Sequence, residues 1–356
     1  MNRVLMTTDT VGGVWTFSLE LADALGRHGI QVVLASLGGI PTNAQRAEAQ
    51  AIPTVQLCES GFKLEWMEHP WTDVASAGRW LLELEQSVAP DLIHLNSYGH
   101  GALPWQAPVV LTAHSCVLSW WAAVKKGAVP DKWNRYRQEV TRTLNGIDLV
   151  TAPTHAMLAA LRKHYGDLPP TRVVLNGRNP SQFQCGSKEE FILTAGRIWD
   201  DAKNTRALVD IAPKLAWPVY VAGEAGCADV STCRALGQLS AAALSGWYSR
   251  ASIYALPAYY EPFGLTALEA ALSGCALVLG DIPSLREVWG GAALFVPPDD
   301  HRGLRSALNS LIENRPRRGE LARRSYQRAL ELGAGRMALE YLAVYEQALG
   351  VKTLCA

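Results

Sequence analysis

The sequence predicts an α/β protein built as two consecutive doubly wound halves, each a parallel sheet covered by helices. Three observations predict it. The chain has 356 residues, 49% of them apolar, enough for two buried cores. Short apolar runs ending in small or polar residues recur along it, and amphipathic helical stretches separate several of them, as parallel strands require. The rhythm breaks once, in a stretch rich in Gly, Pro, Asn and Ser at 165–188, and then restarts.

The runs VLMTTD (4–9), VVLAS (32–36), LIHLN (92–96), VVLTAH (109–114) and LVTAPT (149–154) are the expected strands of the first half. Between the first two, WTFSLELADALGRHG puts Phe17, Leu21, Ala24 and Leu25 on one helical face. In the second half VVLN (173–176), FILTAG (191–196), VYVAG (219–223), IYALPA (253–258), ALVLGD (276–281) and ALFVPP (293–298) repeat the pattern. The expected domains are therefore 1–172 and 173–335, with the joint near Arg172. The last 45 residues carry no strand signal and read as two helices. One is Arg-rich (Arg315, Arg317, Arg318, Arg323, Arg324, Arg328) and reads as a solvated face because Glu320 and Glu331 interrupt it. The other, within 336–356, is expected to pack back on the first half.

Composition removes several function classes. Lys and Arg total 33 and Asp and Glu 33, so the basic excess that nucleic-acid binders use against phosphates is missing and no nucleic-acid partner is expected. No apolar run reaches the roughly eighteen residues of a membrane span, and MNRVLMTTDT is too short in apolar residues for a signal peptide. A cytoplasmic protein is expected. Seven cysteines are scattered singly without CxxC spacing, which predicts reduced thiols and neither a disulfide framework nor a zinc site. Twelve tryptophans, eight of them before residue 140, offer faces for sugars, although burial is the preferred reading for any single one.

In open parallel sheets ligands bind beyond the carboxyl ends of the strands, so the residues after each run carry the chemistry. After the first comes DTVGGVW, where Gly12 and Gly13 open a helix whose free amides suit an anion. His114 ends the fourth run, and His94 and His155 stand at similar strand ends; sequence alone does not choose among the three. In the second half Arg197 follows FILTAG, and Lys203 and Asn204 open the next helix. Two cations over a helix start suit a diphosphate. In EPFGLTALEAALSG, Glu261 precedes a helix, Gly264 opens it, Leu265, Leu268 and Leu272 define its buried face, and Gly274 closes it. The amides of Phe263, Gly264 and Leu265 are placed for a phosphate or sugar oxygen. Glu269, about one turn inside the helix, is placed for two hydrogen bonds from a vicinal diol such as that of ribose, and no base near it in sequence pairs with it.

Gly12 and Gly13, His114, VLNG (174–177), AGRIWDDAKN (195–204) and the E-x7-E element from Glu261 to Glu269 together resemble the retaining glycosyltransferases of the GT-B fold, family 4 or group 1. The resemblance covers nearly the whole chain. It implies two Rossmann-like domains facing across a cleft, the second gripping a nucleotide-sugar donor, the first receiving the acceptor, and a last helix crossing back. It assigns Arg197 and Lys203 to the donor diphosphate, Glu269 to the ribose, and Glu261 with Phe263, Gly264 and Leu265 to the transferred sugar. Gly13 is set against the diphosphate from the other domain and His114 beside the sugar. Two positions depart from the family pattern: Ser115 stands where Asp often follows the histidine, and NGRN (176–179) lacks the frequent Asp two residues beyond its Gly.

The chemistry expected on this basis is transfer of a hexose from a nucleoside-diphosphate sugar to a hydroxyl, with retention and without a metal or other cofactor. A UDP-sugar is expected first and a GDP-sugar second. Arg and Lys stabilise the leaving diphosphate in place of a metal, and no DxD triplet occurs. The acceptor is expected to be a carbohydrate or a lipid-linked group, with peripheral membrane contact as an accessory possibility. The segment 116–142, with Trp120, Trp121, Trp133 and several Lys and Arg, reads either as part of its site or as core-covering helix. An epimerase on the same fold and a noncatalytic nucleotide-sugar-binding protein are the rivals. A dehydrogenase lacks support because there is no GxGxxG followed by an acidic residue.

Overall fold

The computed structural model describes residues 1–224, 226 and 228–355. Five cysteines (Cys58, Cys116, Cys185, Cys233, Cys275) are free thiols; the side chains of Cys227 and Cys355 lie outside the described residues. The chain divides into two compact units. The first comprises 1–122, 127–177 and the C-terminal helix, and the second 123–126 and 178–333.

The first unit runs β1 (Arg3–Asp9), α1 (Gly13–Gly26), β2 (Gln31–Leu37), α2 (Asn43–Gln50), β3 (Val55–Cys58), α3 (Trp71–Val88), β4 (Leu92–Leu95), β5 (Val109–Thr112), α4 (Val117–Val124), α5 (Asn134–Leu144), β6 (Leu149–Ala152), α6 (His155–Tyr165) and β7 (Thr171–Val173). Its seven strands are all parallel, in the order β3-β2-β1-β4-β5-β6-β7. Phe17, Leu21, Ala24 and Leu25 of α1 are all buried, as their spacing predicts. They share a core with Met337, Ala338, Tyr341 and Tyr345 of a last helix, α13 (Ala334–Cys355), numbered after the second unit's helices.

The second unit continues β8 (Glu189–Ala195), α7 (Thr205–Ile211), β9 (Val219–Ala222), β10 (Arg234–Gly237), α8 (Ala241–Arg250), β11 (Ala251–Leu256), α9 (Leu265–Leu272), β12 (Ala276–Gly280), α10 (Pro283–Trp289), β13 (Leu294–Val296), α11 (His301–Glu313) and α12 (Arg315–Leu330). Its six strands are also parallel, in the order β10-β9-β8-β11-β12-β13. The turns beyond β8 and β9 approach so closely that a Cβ on Gly223 would lie 1.8 Å from the carbonyl oxygen of Gly196, and Gly223 has φ +134°. Glycine there meets both demands.

Three strands differ from the sequence reading. VVLN does not open the second sheet: Val173 ends β7, which pairs with β6 and completes the first sheet, so the units join between Gly177 and Arg178. The strands β3 and β10 escaped notice because both are four-residue edge strands with few buried positions, and hence without a continuous apolar run. The Arg-rich stretch forms α12. Arg323 and Arg324 pair with Glu320, Arg328 with Glu331, and Arg318 stacks 4.7 Å from the Trp217 ring centroid. Among the described residues no helix is long and apolar enough to cross a membrane.

Candidate active site

Each sheet has one point where the strand order reverses, between β1 and β4 in the first unit and between β8 and β11 in the second. At such a point the connections leave in opposite directions and open a crevice at the carboxyl ends of the strands. The residues singled out in the sequence gather at these two points.

In the second unit Arg197 and Lys203 follow β8 and Glu261 follows β11, its parallel neighbour. The loops are tied together by Tyr259, whose N–H donates to the Ala202 carbonyl at 2.8 Å, and by Asn204, whose Nδ2 donates to Pro257 and Pro298 carbonyls at 2.9 Å each. Asn204 takes a left-handed backbone (φ +52°) at the start of α7, a conformation asparagine tolerates. The Lys203 stem runs over Gly196, and its ammonium donates to the Glu261 carboxylate, both side chains largely buried. Arg197 is more open, 41% exposed, with Nη2 at 3.1 Å from the Asp200 carboxylate and its guanidinium 5.5 Å from the Trp199 ring centroid. Asp200 also accepts from the Ala202 N–H at 3.0 Å, which fixes the turn carrying both cations.

The start of α9 differs from expectation in one respect. The Phe263 N–H donates to the Glu261 carboxylate at 3.4 Å, so that amide has an acceptor of its own. Gly264, with φ +93°, caps the helix, and the amides of Gly264 and Leu265 have no acceptor among the described residues. Gly274 sits just past the helix in the left-handed region, as a terminating glycine should.

Glu269 is not the unpaired acid that the local sequence suggested. Arg178, far away in sequence, brings its Nε to 3.1 Å from Oε1 of Glu269, both side chains 12% exposed. Sequence reasoning missed Arg178, and the only available sign was an Arg in NGRN at a joint otherwise built of Gly, Pro and Asn. The buried Tyr254 hydroxyl donates to Thr266 Oγ1 at 2.7 Å, and burial first, and then the charges of Glu261 and Glu269, push its ionisation up.

The structure separates the three strand-end histidines of the first unit. His94 is a satisfied core residue, with Nδ1 at 2.7 Å from the Tyr345 hydroxyl and Nε2 at 2.7 Å from that of Thr112. His155 is exposed in the first turn of α6. His114 packs edge-on against Phe17, with ring centroids 4.5 Å apart, and keeps part of its edge at the surface. Its Nε2 lies 2.8 Å from Oδ1 of Asn96, whose Nδ2 donates to the Thr7 carbonyl at 2.7 Å. Because the Asn96 amide is oriented by that carbonyl, the network assigns the proton of neutral His114 to Nε2 and leaves Nδ1 as an acceptor. Burial lowers the pKa of His114 to about 3, so the ring is neutral near pH 7.

Beside it, Gly12 caps α1, and the Asp9 carboxylate accepts from the Val11 and Gly12 amides at 3.0 and 3.2 Å. Neither Gly12 nor Gly13 has a positive φ, so a left-handed backbone is not what requires glycine there. The segment after His114 forms α4 and α5. Trp120 and Trp121 are half-buried with ring centroids 6.1 Å apart, and Lys125 and Lys126 pair with Asp201 and Asp299.

Comparison with known proteins now decides the family. The family model described as Glycosyltransferase Family 4 matches residues 11–182, and the one described as Glycosyl transferases group 1 matches residues 189–314. The chain belongs to the family 4, group 1 glycosyltransferases. A D-inositol 3-phosphate glycosyltransferase of Kineococcus radiotolerans is 24% identical, aligned over 96% of this chain and 92% of its own length. The glycogen synthase of Mycobacterium tuberculosis is 24% identical over 69% of this chain and 66% of its own. Among solved structures, sucrose-phosphate synthase from Thermosynechococcus elongatus superposes with a TM-score of 0.81 at 18% identity, covering 99% of this chain and all of that one. Anabaena HepE in complex with UDP-glucose gives 0.76 at 15% identity, covering 97% and 100%. This glycosyltransferase therefore has the GT-B fold.

Proposed function

We propose that this glycosyltransferase moves a hexose from a nucleoside-diphosphate sugar, UDP-linked first and GDP-linked second, to a hydroxyl of a carbohydrate or lipid-linked acceptor, with retention and without a metal. The observation that carries the reading is the gathering of Arg197, Lys203 and Glu261 at the reversal point of the second sheet. The solved complexes of Anabaena HepE with UDP-glucose and of pneumococcal GtfA with UDP and GlcNAc support the choice of donor.

The roles follow from charge and geometry. Breaking the bond between the anomeric carbon and the diphosphate builds negative charge on the leaving oxygen, and fixed cations there lower the barrier. Arg197, 41% exposed and held by Asp200 and the Trp199 face, turns its remaining N–H groups to a phosphate. Lys203 adds a compact charge whose position Glu261 sets. The acceptor oxygen bonds to the anomeric carbon on the face the diphosphate leaves, and its proton passes to the departing phosphate oxygen, giving a glycoside and a nucleoside diphosphate. Gly264 and Leu265 amides, with Glu261, hold the sugar, and Glu269 takes the ribose diol. Of the two glycine amides in the first unit, that of Gly12 is held by the Asp9 carboxylate, and that of Gly13 is left to receive an anion. His114 receives a sugar hydroxyl at Nδ1, the nitrogen that Asn96 leaves unprotonated.

Incubating the protein with a panel of nucleotide sugars, with and without acceptors, tests this. Release of nucleoside diphosphate together with a glycoside supports it. Release of free sugar alone points to the epimerase, and nucleotide binding without turnover to a noncatalytic protein. A nucleoside diphosphate at about 100 times its Kd should stabilise the fold by about 2.7 kcal/mol in a thermal shift. Absence of any shift across the panel overturns the reading.

A further inference from the structure

We propose that Arg178 is a positioning residue for nucleotide recognition: it holds Glu269 ionised and turned for the ribose diol. The inference rests on the assignment of Glu269 to the ribose. It concerns a residue that the family motifs do not supply, since Arg178 lies in NGRN, outside the E-x7-E element.

Arg178 is fixed at both ends. Its N–H donates to the Leu332 carbonyl at 3.1 Å and it bridges to Gly333, so its backbone is anchored where the chain enters and leaves the second unit. Its guanidinium lies 5.2 Å from the Phe183 ring centroid and reaches Glu269 through Nε at 3.1 Å. Glu269 is one turn inside α9, among Ala267, Leu268, Ala270 and Leu272, all buried. A carboxylate in such surroundings without a counter-charge takes up a proton or turns away. Either change removes the acceptor pair that two vicinal hydroxyls need. The contact is an ion pair between the Arg178 guanidinium and Oε1 of Glu269.

The test measures binding of uridine or guanosine diphosphate, whichever the wild-type protein takes, and of its 2′,3′-dideoxy analogue, by calorimetry. The readout is the ratio of the two affinities. A general loss of packing weakens both ligands and leaves the ratio, whereas misplacing Glu269 lowers it. Hydrogen bonds to a charged group predict a wild-type ratio of roughly 10 to 100 in favour of the ribose form. Arg178→Met should lower the ratio about tenfold, and Arg178→Gln, which keeps a polar head, carries the same expectation should the methionine variant not fold. A wild-type ratio in the folded Arg178 variant overturns the proposal, provided Glu269→Gln lowers it. If Glu269→Gln also leaves the ratio unchanged, the ribose assignment itself fails.

Discussion

The two units share a topology and differ in what stands at the reversal point. In the second unit the polar residues there are charged and paired: Lys203 with Glu261, Arg178 with Glu269, Arg197 with Asp200. In the first unit the Asp9 carboxylate stands at the end of β1, tied to the Val11 and Gly12 amides, and a neutral hydrogen-bonded network lies beside the point, running from His114 through Asn96 to Thr7 and Ser18, and from His94 to Thr112, Tyr341 and Tyr345. One fold thus supplies two electrostatic environments. The charged one suits a diphosphate that gains charge as its bond breaks. The neutral one suits hydroxyl groups, whose recognition depends on which nitrogen or oxygen carries a proton.

The sharpest way to break this contrast is to remove a cation. Lys203→Ala or Arg197→Ala should lower turnover by about two to three orders of magnitude, by analogy with the loss of one preorganised donor in other enzymes. Release of nucleoside diphosphate, followed in steady state, measures it. Rates near wild type would remove those residues from the diphosphate and leave the charge of the second unit without the role proposed for it.

The charged side of this contrast is the part legible in the sequence. Apolar runs located eleven of the thirteen strands, although β7 was assigned to the wrong sheet. Fixed spacing then put Arg197, Lys203, Glu261 and Glu269 near strand ends because a helix turns at a known rate. What stayed hidden depends on long-range contact. Asn96 closes a quoted run, yet nothing local shows that its amide orients His114 across 18 positions. Arg178 and Glu269 are joined only once the two connections of the second unit are brought side by side. Local sequence could not decide among His94, His114 and His155, since all three stand close to strand ends and only packing distinguishes them.

The next effect should appear with pH, and in stability. His94 and His114 are held at a pKa of about 3, and His100 at about 4, mainly by burial, against 6.5 when unfolded. The unfolded chain therefore binds more protons between pH 6.5 and these values. Stability is fully present above 6.5 and is lost as pH falls towards the folded pKa. From pH 7 to pH 6 each buried ring should cost about 0.7 kcal/mol, somewhat less for His114 with its partly open edge. All three lie in the first unit, and His301 of the second is exposed. Thermal unfolding at the two pH values measures the loss. His100→Gln retains a donor for the Val74 carbonyl, which His100 Nε2 meets at 3.1 Å, and cannot titrate, so about a third of the loss should disappear. An unchanged pH dependence in that variant would show that His100 does not contribute.

The smallest expected effect probes the neutral network through a residue that is not expected to touch substrate. Asn96 fixes the tautomer of His114 because its Nδ2 is committed to the Thr7 carbonyl and its Oδ1 must then face Nε2. Asn96→Asp keeps an acceptor towards His114 but loses the donor to Thr7, and places a carboxylate beside the ring, raising the pKa of His114. Asn96→Leu removes both, so neither nitrogen is preferred as the proton carrier. Turnover in the leucine variant should fall about tenfold, the size expected for one hydrogen bond of about 1.4 kcal/mol at the sugar, with nucleotide affinity unchanged because the charged groups assigned to the nucleotide, Arg197, Lys203 and Glu269, lie in the second unit. In the aspartate variant, activity should acquire a new dependence on pH as the imidazolium form becomes populated near neutrality. A leucine variant that loses nucleotide affinity as well would place Asn96 in general packing and not in the orientation of His114, and the division of labour between the charged and the neutral unit would then have to be redrawn.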